Sequence, residues 1–314
     1  MPDLKNPPPP QDSASISKLG GIVAAAVTPV TNACAIDVPR LLVHTRWLLD
    51  HGCDMVSLFG TTGEGPSFPV AERLRAIEAV IAGGVPAHRL LPAVMTASAS
   101  EGREMFRAIA AMNCRAALIM PPFFFQCDDD GVFRFCAHVA GGADAPRDLP
   151  ILLYHYPAMS GFGFGHRLIG RLAAHFGPRL AGIKDSSGDI GHTLGLIDAF
   201  PGLAVFTGTD THLVRALAAG GAGIIGGVPN VNAPLLRARL AAKQPQHGAL
   251  DDTIGALFAE VSKTGGPMPI KAMVARVHRD DAWRMSAPPL EPMSADAQAA
   301  LIACFDATGY APAS

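Results

Sequence analysis

From residue 19 onward, short runs rich in Val, Ile, Leu and Ala alternate with longer stretches whose apolar residues recur at helical spacing. The runs predict strands at 21–27, 55–59, 89–95, 116–120, 150–156, 180–184, 203–207 and 223–225. Each is followed by a predicted helix, at 39–50, 70–82, 98–112, 131–140, 166–176, 190–200, 211–219 and 234–242. Asp37 stands where an N-cap would open the first of these helices. Short strands that are apolar at every position are buried on both faces, as in a parallel sheet covered by helices. Eight strand–helix units in roughly 225 residues fit a (β/α)8 TIM barrel better than a doubly wound sheet. No G-x-G-x-x-G follows the first strand, which weakens a dinucleotide-binding alternative. Helical patterns at 253–263, 270–277 and 295–306 add a small C-terminal helical region. The expected organisation is an extended N-terminal arm over 1–18, a barrel over 19–245 and a helical region over 246–314. The arm follows from the proline run at 7–10.

Composition narrows the class. The 314 residues are 49% hydrophobic and 17% charged, with a net charge of -2. That apolar content excludes disorder, and no uninterrupted apolar run of ~18 residues marks a membrane span. A pI of 6.6 without a basic stripe argues against a nucleic-acid partner. The six cysteines show no C-x-x-C pair and no metal-ligand spacing. They read as buried thiols of a cytoplasmic chain rather than as disulfides. The first residues lack the apolar core of a secretory signal.

Barrel active sites lie at the C-terminal ends of strands, which selects three segments. One is 60–65 (GTTGEG), one 154–157 (YHYP), one 182–188 (GIKDSSG). Of the six lysines, Lys184 alone ends an apolar strand. Desolvation there favours the neutral amine, a nucleophile for carbonyl carbon; the plain alternative is a lysine snorkelling to solvent at the rim. Tyr154 ends the preceding strand, and its phenol could pass a proton near an imine, or simply pack as a core aromatic. Tyr156 shares its face by the two-residue period and could shape the pocket wall, whereas His155 points the other way as a structural residue. The turn with Thr61 and Thr62 offers hydroxyls and N–H groups for a carboxylate, or is an ordinary turn. Glu64 is given no catalytic role.

Together, GTTGEG, YHYPAMSG and GIKDSSGD, in this order and spacing, resemble the dihydrodipicolinate synthase / N-acetylneuraminate lyase family over about residues 19–293. The resemblance implies a (β/α)8 barrel with C-terminal helices, usually a homotetramer, needing neither metal nor cofactor. It implies C–C bond formation or cleavage with pyruvate, or a related 2-oxo acid, through a lysine Schiff base. By position, Lys184 resembles the Schiff-base lysine, and Tyr154 the tyrosine that relays protons. Thr61 and Thr62 resemble the pair holding the 2-oxo acid carboxylate, with Thr62 also counted among the catalytic groups. Ile225 matches an apolar residue beside bound pyruvate.

The departures bear on the second substrate. The lysine-pathway synthases of this family carry a tyrosine where Phe124 stands and a carboxylate-gripping arginine where Met159 stands. A thioether cannot form that bidentate ion pair. Gly65, Pro66 and Ala97 also depart from the family's lysine-feedback site, although Glu101 remains. Gly208 and Asp210 fit the sugar-tail contacts of sialic acid lyases, while Thr211 and Gly227 do not. Ser186 and Asp210 could bind a shorter hydroxylated aldehyde, so a 2-keto-3-deoxy sugar acid aldolase is the expectation. Phe124, Met159 and Phe162 leave room for an aromatic or aliphatic aldehyde instead. The competing expectations are dihydrodipicolinate synthase itself, a Schiff-base dehydratase, and a catalytically silent binding barrel.

Overall fold

The computed structural model describes residues 19–142, 145–242 and 247–310, with Thr264 described by its backbone alone. The arm expected over 1–18 lies outside the described residues.

Eight parallel strands form one sheet: β1 (Gly21–Ala25), β2 (Met55–Ser57), β3 (Ala93–Val94), β4 (Ala117–Ile119), β5 (Ile151–His155), β6 (Leu180–Asp185), β7 (Ala204–Thr207) and β8 (Gly223–Gly226). The hydrogen-bonded order is β2-β1-β8-β7-β6-β5-β4-β3. The ends of that order meet. Leu91 N–H donates to the Val56 carbonyl and Ala93 N–H to the Leu58 carbonyl, both at 2.9 Å, beside a bridge between Val56 and Leu90. The sheet is therefore a closed (β/α)8 barrel.

Alternation along each strand divides the core in two. Val23, Leu118, Leu152, Tyr154, Phe206 and Ile225 point into the barrel. Ile22, Ala24, Ile119, Ile151, Leu153, Ile183 and Ile224 point outward into the layer beneath the helices. That layer is covered by α1 (Val38–Asp50), α2 (Val70–Ala82), α3 (Ala99–Ala111), α4 (Asp129–Ala140), α6 (His166–Phe176), α7 (Ile190–Ala199), α8 (Leu213–Ala218) and α9 (Pro229–Ala241). A one-turn helix, α5 (Pro157–Ser160), follows β5. Asp37 caps α1 by accepting the Arg40 N–H at 3.1 Å. Three further helices follow, α10 (Ala249–Thr264), α11 (Met268–His278) and α12 (Ala295–Ala307).

The structure departs from the expected pattern in three places. The third strand shrinks to two residues, because Pro92 has no N–H for the ladder and 87–89 form a 3-10 turn. The last barrel helix starts at Pro229 rather than at Pro234, which sits inside it; proline is at home in a first turn, and Pro229 takes that place. The cysteines are all free, but only Cys53, Cys114 and Cys136 are buried. Burial pushes those three thiols up to about 12. Cys34 is exposed, in a turn where its backbone is left-handed at φ +58°. Among the described residues no helix is long and apolar enough to cross a membrane.

Candidate active site

At the C-terminal mouth of the barrel lies a cavity of about 380 Å³. It brings together Lys184, Tyr154, Thr61 and Thr62, which the sequence reading assigns to the chemistry and the carboxylate. It also holds Ile225, Ser186, Asp210 and Met159, and Tyr156 forms part of the wall. Phe124 and Phe162, the apolar candidates for the aldehyde side, do not line it: Phe124 is exposed, and Phe162 lines a separate cavity with Asp128 and Arg167.

Strand register explains the central pair. Tyr154 on β5 and Lys184 on β6 are direct cross-strand partners, so both side chains point into the barrel at one level. The Lys184 ammonium lies 4.1 Å from the centre of the Tyr154 ring. Both residues are buried, Lys184 at 5% exposure and Tyr154 at 2%. The phenol oxygen lies 3.1 Å from the Thr61 hydroxyl. The hydroxyl on the phenol is thus that of Thr61, while Thr62 faces the turn at Gly227. A Cβ at Gly227 would come within 3.1 Å of the Thr62 hydroxyl and 2.7 Å of Ile270. Tyr156 packs beside Tyr154 with ring centres 5.9 Å apart. Burial, and then the neighbouring phenol, raise the Tyr156 hydroxyl above the ordinary tyrosine range.

Local backbone shape makes the turn after β2. Phe59 and Glu64 are both left-handed, at φ +60° and +53°. Gly65 must be glycine, since a Cβ there would lie 2.0 Å from the Phe59 carbonyl oxygen. The Gly63 carbonyl accepts the Thr28 hydroxyl at 2.6 Å, which ties the turn to the end of β1.

The opposite wall begins where β6 and β7 end. Ser186 N–H continues the ladder to the His155 carbonyl at 2.8 Å, and Gly208 N–H to the Asp185 carbonyl at 2.7 Å. A Cβ on Gly208 would sit 2.4 Å from the Ser186 hydroxyl, so the glycine keeps that hydroxyl in place. Asp210 is buried, and one carboxylate oxygen accepts from the Asn232 amide at 3.0 Å. Its other oxygen is buried without a partner among the described residues. Burial pushes the Asp210 carboxyl up to about 6 against the opposing Asn232 bond. Lys184 and Asp210 are the only charged residues lining the cavity among the described residues.

Behind β5 and β6, the alternation turns His155 and Asp185 outward, where His192 joins them within metal-ligand distances. Hydrogen bonds already occupy these groups. His155 Nδ1 accepts the Phe164 N–H at 3.0 Å, which leaves its ring proton on Nε2. Asp185 accepts from Ser187 N–H, the Thr193 hydroxyl and His192. Burial alone would raise the Asp185 carboxyl, but those bonds bring it below the ordinary carboxylate range. Burial lowers His155 to about 4, which keeps it neutral. The cluster orients the residue after Lys184 and has no lone pair on His155 Nδ1 to spare for an ion.

A rule that looks only at strand ends misses one wall of the cavity. Phe258, Val261 and Ser262 on α10, the Gly265–Gly266 pair and Ile270 on α11 all line it. The helical spacing of 253–263 was legible, but not which barrel surface that face would meet.

An amine, a phenol and two hydroxyls gathered at the mouth of a (β/α)8 barrel suit the chemistry of a lyase that works on carbonyl substrates. The chain belongs to the dihydrodipicolinate synthetase family, whose model matches residues 18–308, and whose members are pyruvate-dependent Schiff-base lyases of the class I aldolase type. It is 33% identical to an uncharacterised DapA-like lyase of Chloroflexus aurantiacus over 300 residues, 91% of this chain and 96% of that one. It is 34% identical to 4-hydroxy-tetrahydrodipicolinate synthase 2 of Streptomyces coelicolor over 227 residues, 71% and 72% of the two chains. The crystal structure of dihydrodipicolinate synthase from Agrobacterium tumefaciens superposes with a TM-score of 0.85 at 30% identity, covering 92% of this chain and 99% of that one.

Proposed function

We propose that the protein is a pyruvate-dependent aldolase that cleaves or forms 2-keto-3-deoxy sugar acids through an imine on Lys184. The observation that carries this reading is the lining of the cavity, in which Lys184 is the only cation among the described residues. In the proposed cycle Lys184 Nζ attacks C2 of pyruvate, and the carbinolamine loses water to give an iminium. Loss of a C3 proton gives an enamine, which adds to the carbonyl carbon of an aldehyde; hydrolysis releases product and amine. Tyr154 moves protons at the carbinolamine and aldehyde oxygens, with Thr61 holding the phenol. The Thr61–Thr62 turn holds the carboxylate, Thr62 assists the proton steps, and Ile225 packs against the methyl group. Ser186 and the unpartnered oxygen of Asp210 accept hydroxyl protons of the aldehyde, while Met159 closes the side of the cavity with an apolar wall. No metal or cofactor takes part. The compartment this reading implies is the cytoplasm.

A second reading is favoured by the names of the relatives, several of which are 4-hydroxy-tetrahydrodipicolinate synthases. That reaction needs a place for the carboxylate of its second substrate. Met159, half exposed at the mouth, supplies no charge there, and its thioether cannot form the bidentate ion pair that an arginine gives a carboxylate. One preparation assayed for pyruvate release from a panel of 2-keto-3-deoxy acids, and for condensation of pyruvate with aspartate semialdehyde, separates the two. The aldolase reading expects cleavage of at least one panel member and the lower kcat/KM with aspartate semialdehyde. The reverse order makes the synthase the right assignment. Loss of water with the carbon chain intact would mark a dehydratase. No borohydride-trapped adduct with pyruvate would leave a catalytically silent binding barrel.

A further inference from the structure

Lys184 is not the most deeply buried lysine of the described chain. Lys271 on α11 is fully enclosed. Its ammonium forms an ion pair with the Glu64 carboxylate, and both side chains are wholly shielded from solvent. Lys271 also donates to the Met285 carbonyl at 2.7 Å, and the second Glu64 oxygen accepts the Ala287 N–H at 3.2 Å. Burial lowers the Lys271 ammonium below the ordinary lysine range, and Glu64 opposes that fall. Two buried charges are tolerated only when they are paired and hydrogen-bonded, so each holds the other's element in place.

The position of the pair gives it a task. Glu64 ends the turn that presents Thr61 and Thr62 to the cavity, and its own N–H closes that turn on the Thr61 carbonyl at 3.1 Å. Lys271 follows Ile270, which lines the cavity and, like Thr62, lies beside Gly227. On the barrel side the turn is tied by Thr28; on the other side the tie is Lys271. We propose that the Glu64–Lys271 pair is a positioning device for the 2-oxo acid, fixing the Thr61–Thr62 turn from the C-terminal helices. The C-terminal helical region then belongs to the binding apparatus and is not an appendage. This rests on the Schiff-base reading above.

Glu64→Gln and Lys271→Met each leave one buried charge alone, and either single change is expected to unfold much of the protein. The double variant Glu64→Gln/Lys271→Met removes both charges at similar volume and should recover most of the wild-type melting temperature. Glu64→Asp keeps the charge but shortens the reach, and serves as a second arm. For each chain that folds, pyruvate is titrated in the presence of borohydride, and the adduct is quantified by intact mass and mapped. The pyruvate concentration for half-maximal trapping should rise at least tenfold in either variant, while the plateau stays at one adduct per chain on Lys184. A purely structural pair would change the melting temperature and leave that concentration where it is. Wild-type half-saturation in a folded double variant, or in folded Glu64→Asp, overturns the proposal. Wild-type protein that traps no pyruvate would remove the Schiff-base reading first, and the proposal falls with it before any variant is made.

Discussion

Among the described residues two lysines are withdrawn from water, and their neighbours assign them different work. Lys271 faces a carboxylate, whereas Lys184 faces a phenol ring and a cavity. For the phenol, Tyr154→Phe keeps the ring and removes one hydroxyl, so the melting temperature should change little. Turnover should fall by ~10²–10⁴-fold, the usual weight of general acid–base assistance. Near-normal turnover in steady-state assays would return Tyr154 to the role of a packed aromatic. Asp210 gives a pH signature. Its folded-state value is raised to about 6 from an ordinary 3.8. The native state therefore binds the proton more tightly than the unfolded chain, and stability falls as pH rises from about 4 to about 6. Asp210→Asn should flatten that slope in denaturant titrations across the window and weaken cleavage of hydroxylated substrates. An unchanged slope would show that Asp210 is not the group that titrates there. At this scale much was legible: lysine scarcity and strand-end position picked out Lys184, and period-two alternation separated Tyr154 from His155. The pairing of Thr61 rather than Thr62 with the phenol was not, because it depends on the left-handed residues Phe59 and Glu64. Nor was the partner of Glu64, which comes from a helix more than two hundred residues later in the chain.

At the level of elements, all eight strand–helix units were legible because each buries a continuous apolar strand under an amphipathic helix. What sequence pattern blurred was length. In the strand expected over 89–95 every residue after Arg89 is apolar, yet Pro92 and the 3-10 turn before it leave two residues of strand. The turn after β2 has little room to vary. Its fixed point is Gly65, whose missing side chain lets the backbone pass the Phe59 carbonyl. Gly65→Ala must move backbone rather than a flexible side chain, and the cost should reach about 2 kcal/mol or more, in the range of core overpacking. Thermal unfolding measures this directly, and a loss below half a kilocalorie would mean the turn is more pliant than its contacts imply. The α10 face was legible as a helix but not as a cavity wall. Helical periodicity reports that a face is buried and does not report against what.

The molecule as a whole presents two aromatic rings to solvent. Phe124 and Phe125 are 89% and 77% exposed and pack edge to face. Phe124 holds a left-handed backbone, φ +89°, which is costly for a bulky residue left exposed among the described residues. We propose that the homotetramer implied by the family resemblance covers them. Light scattering should give the mass of four chains, and Phe124→Glu should shift it to smaller species; a wild-type monomer would remove the assembly from the reading. The closure of the barrel has a separate consequence. β2 and β3, three and two residues long, stand at the two ends of the strand order, and the backbone bonds of Leu91 and Ala93 with one isolated bridge join them. The Arg89 guanidinium adds a side-chain clip, donating to the Cys53 carbonyl at 2.9 Å and to the Asp54 carbonyl. Where a ring is thinnest it parts first under heat. A parted ring exposes two strand edges that can template pairing with other chains. The heat-induced aggregation of this protein would then start on the side away from β5 and β6, with the lysine-bearing half of the barrel still folded.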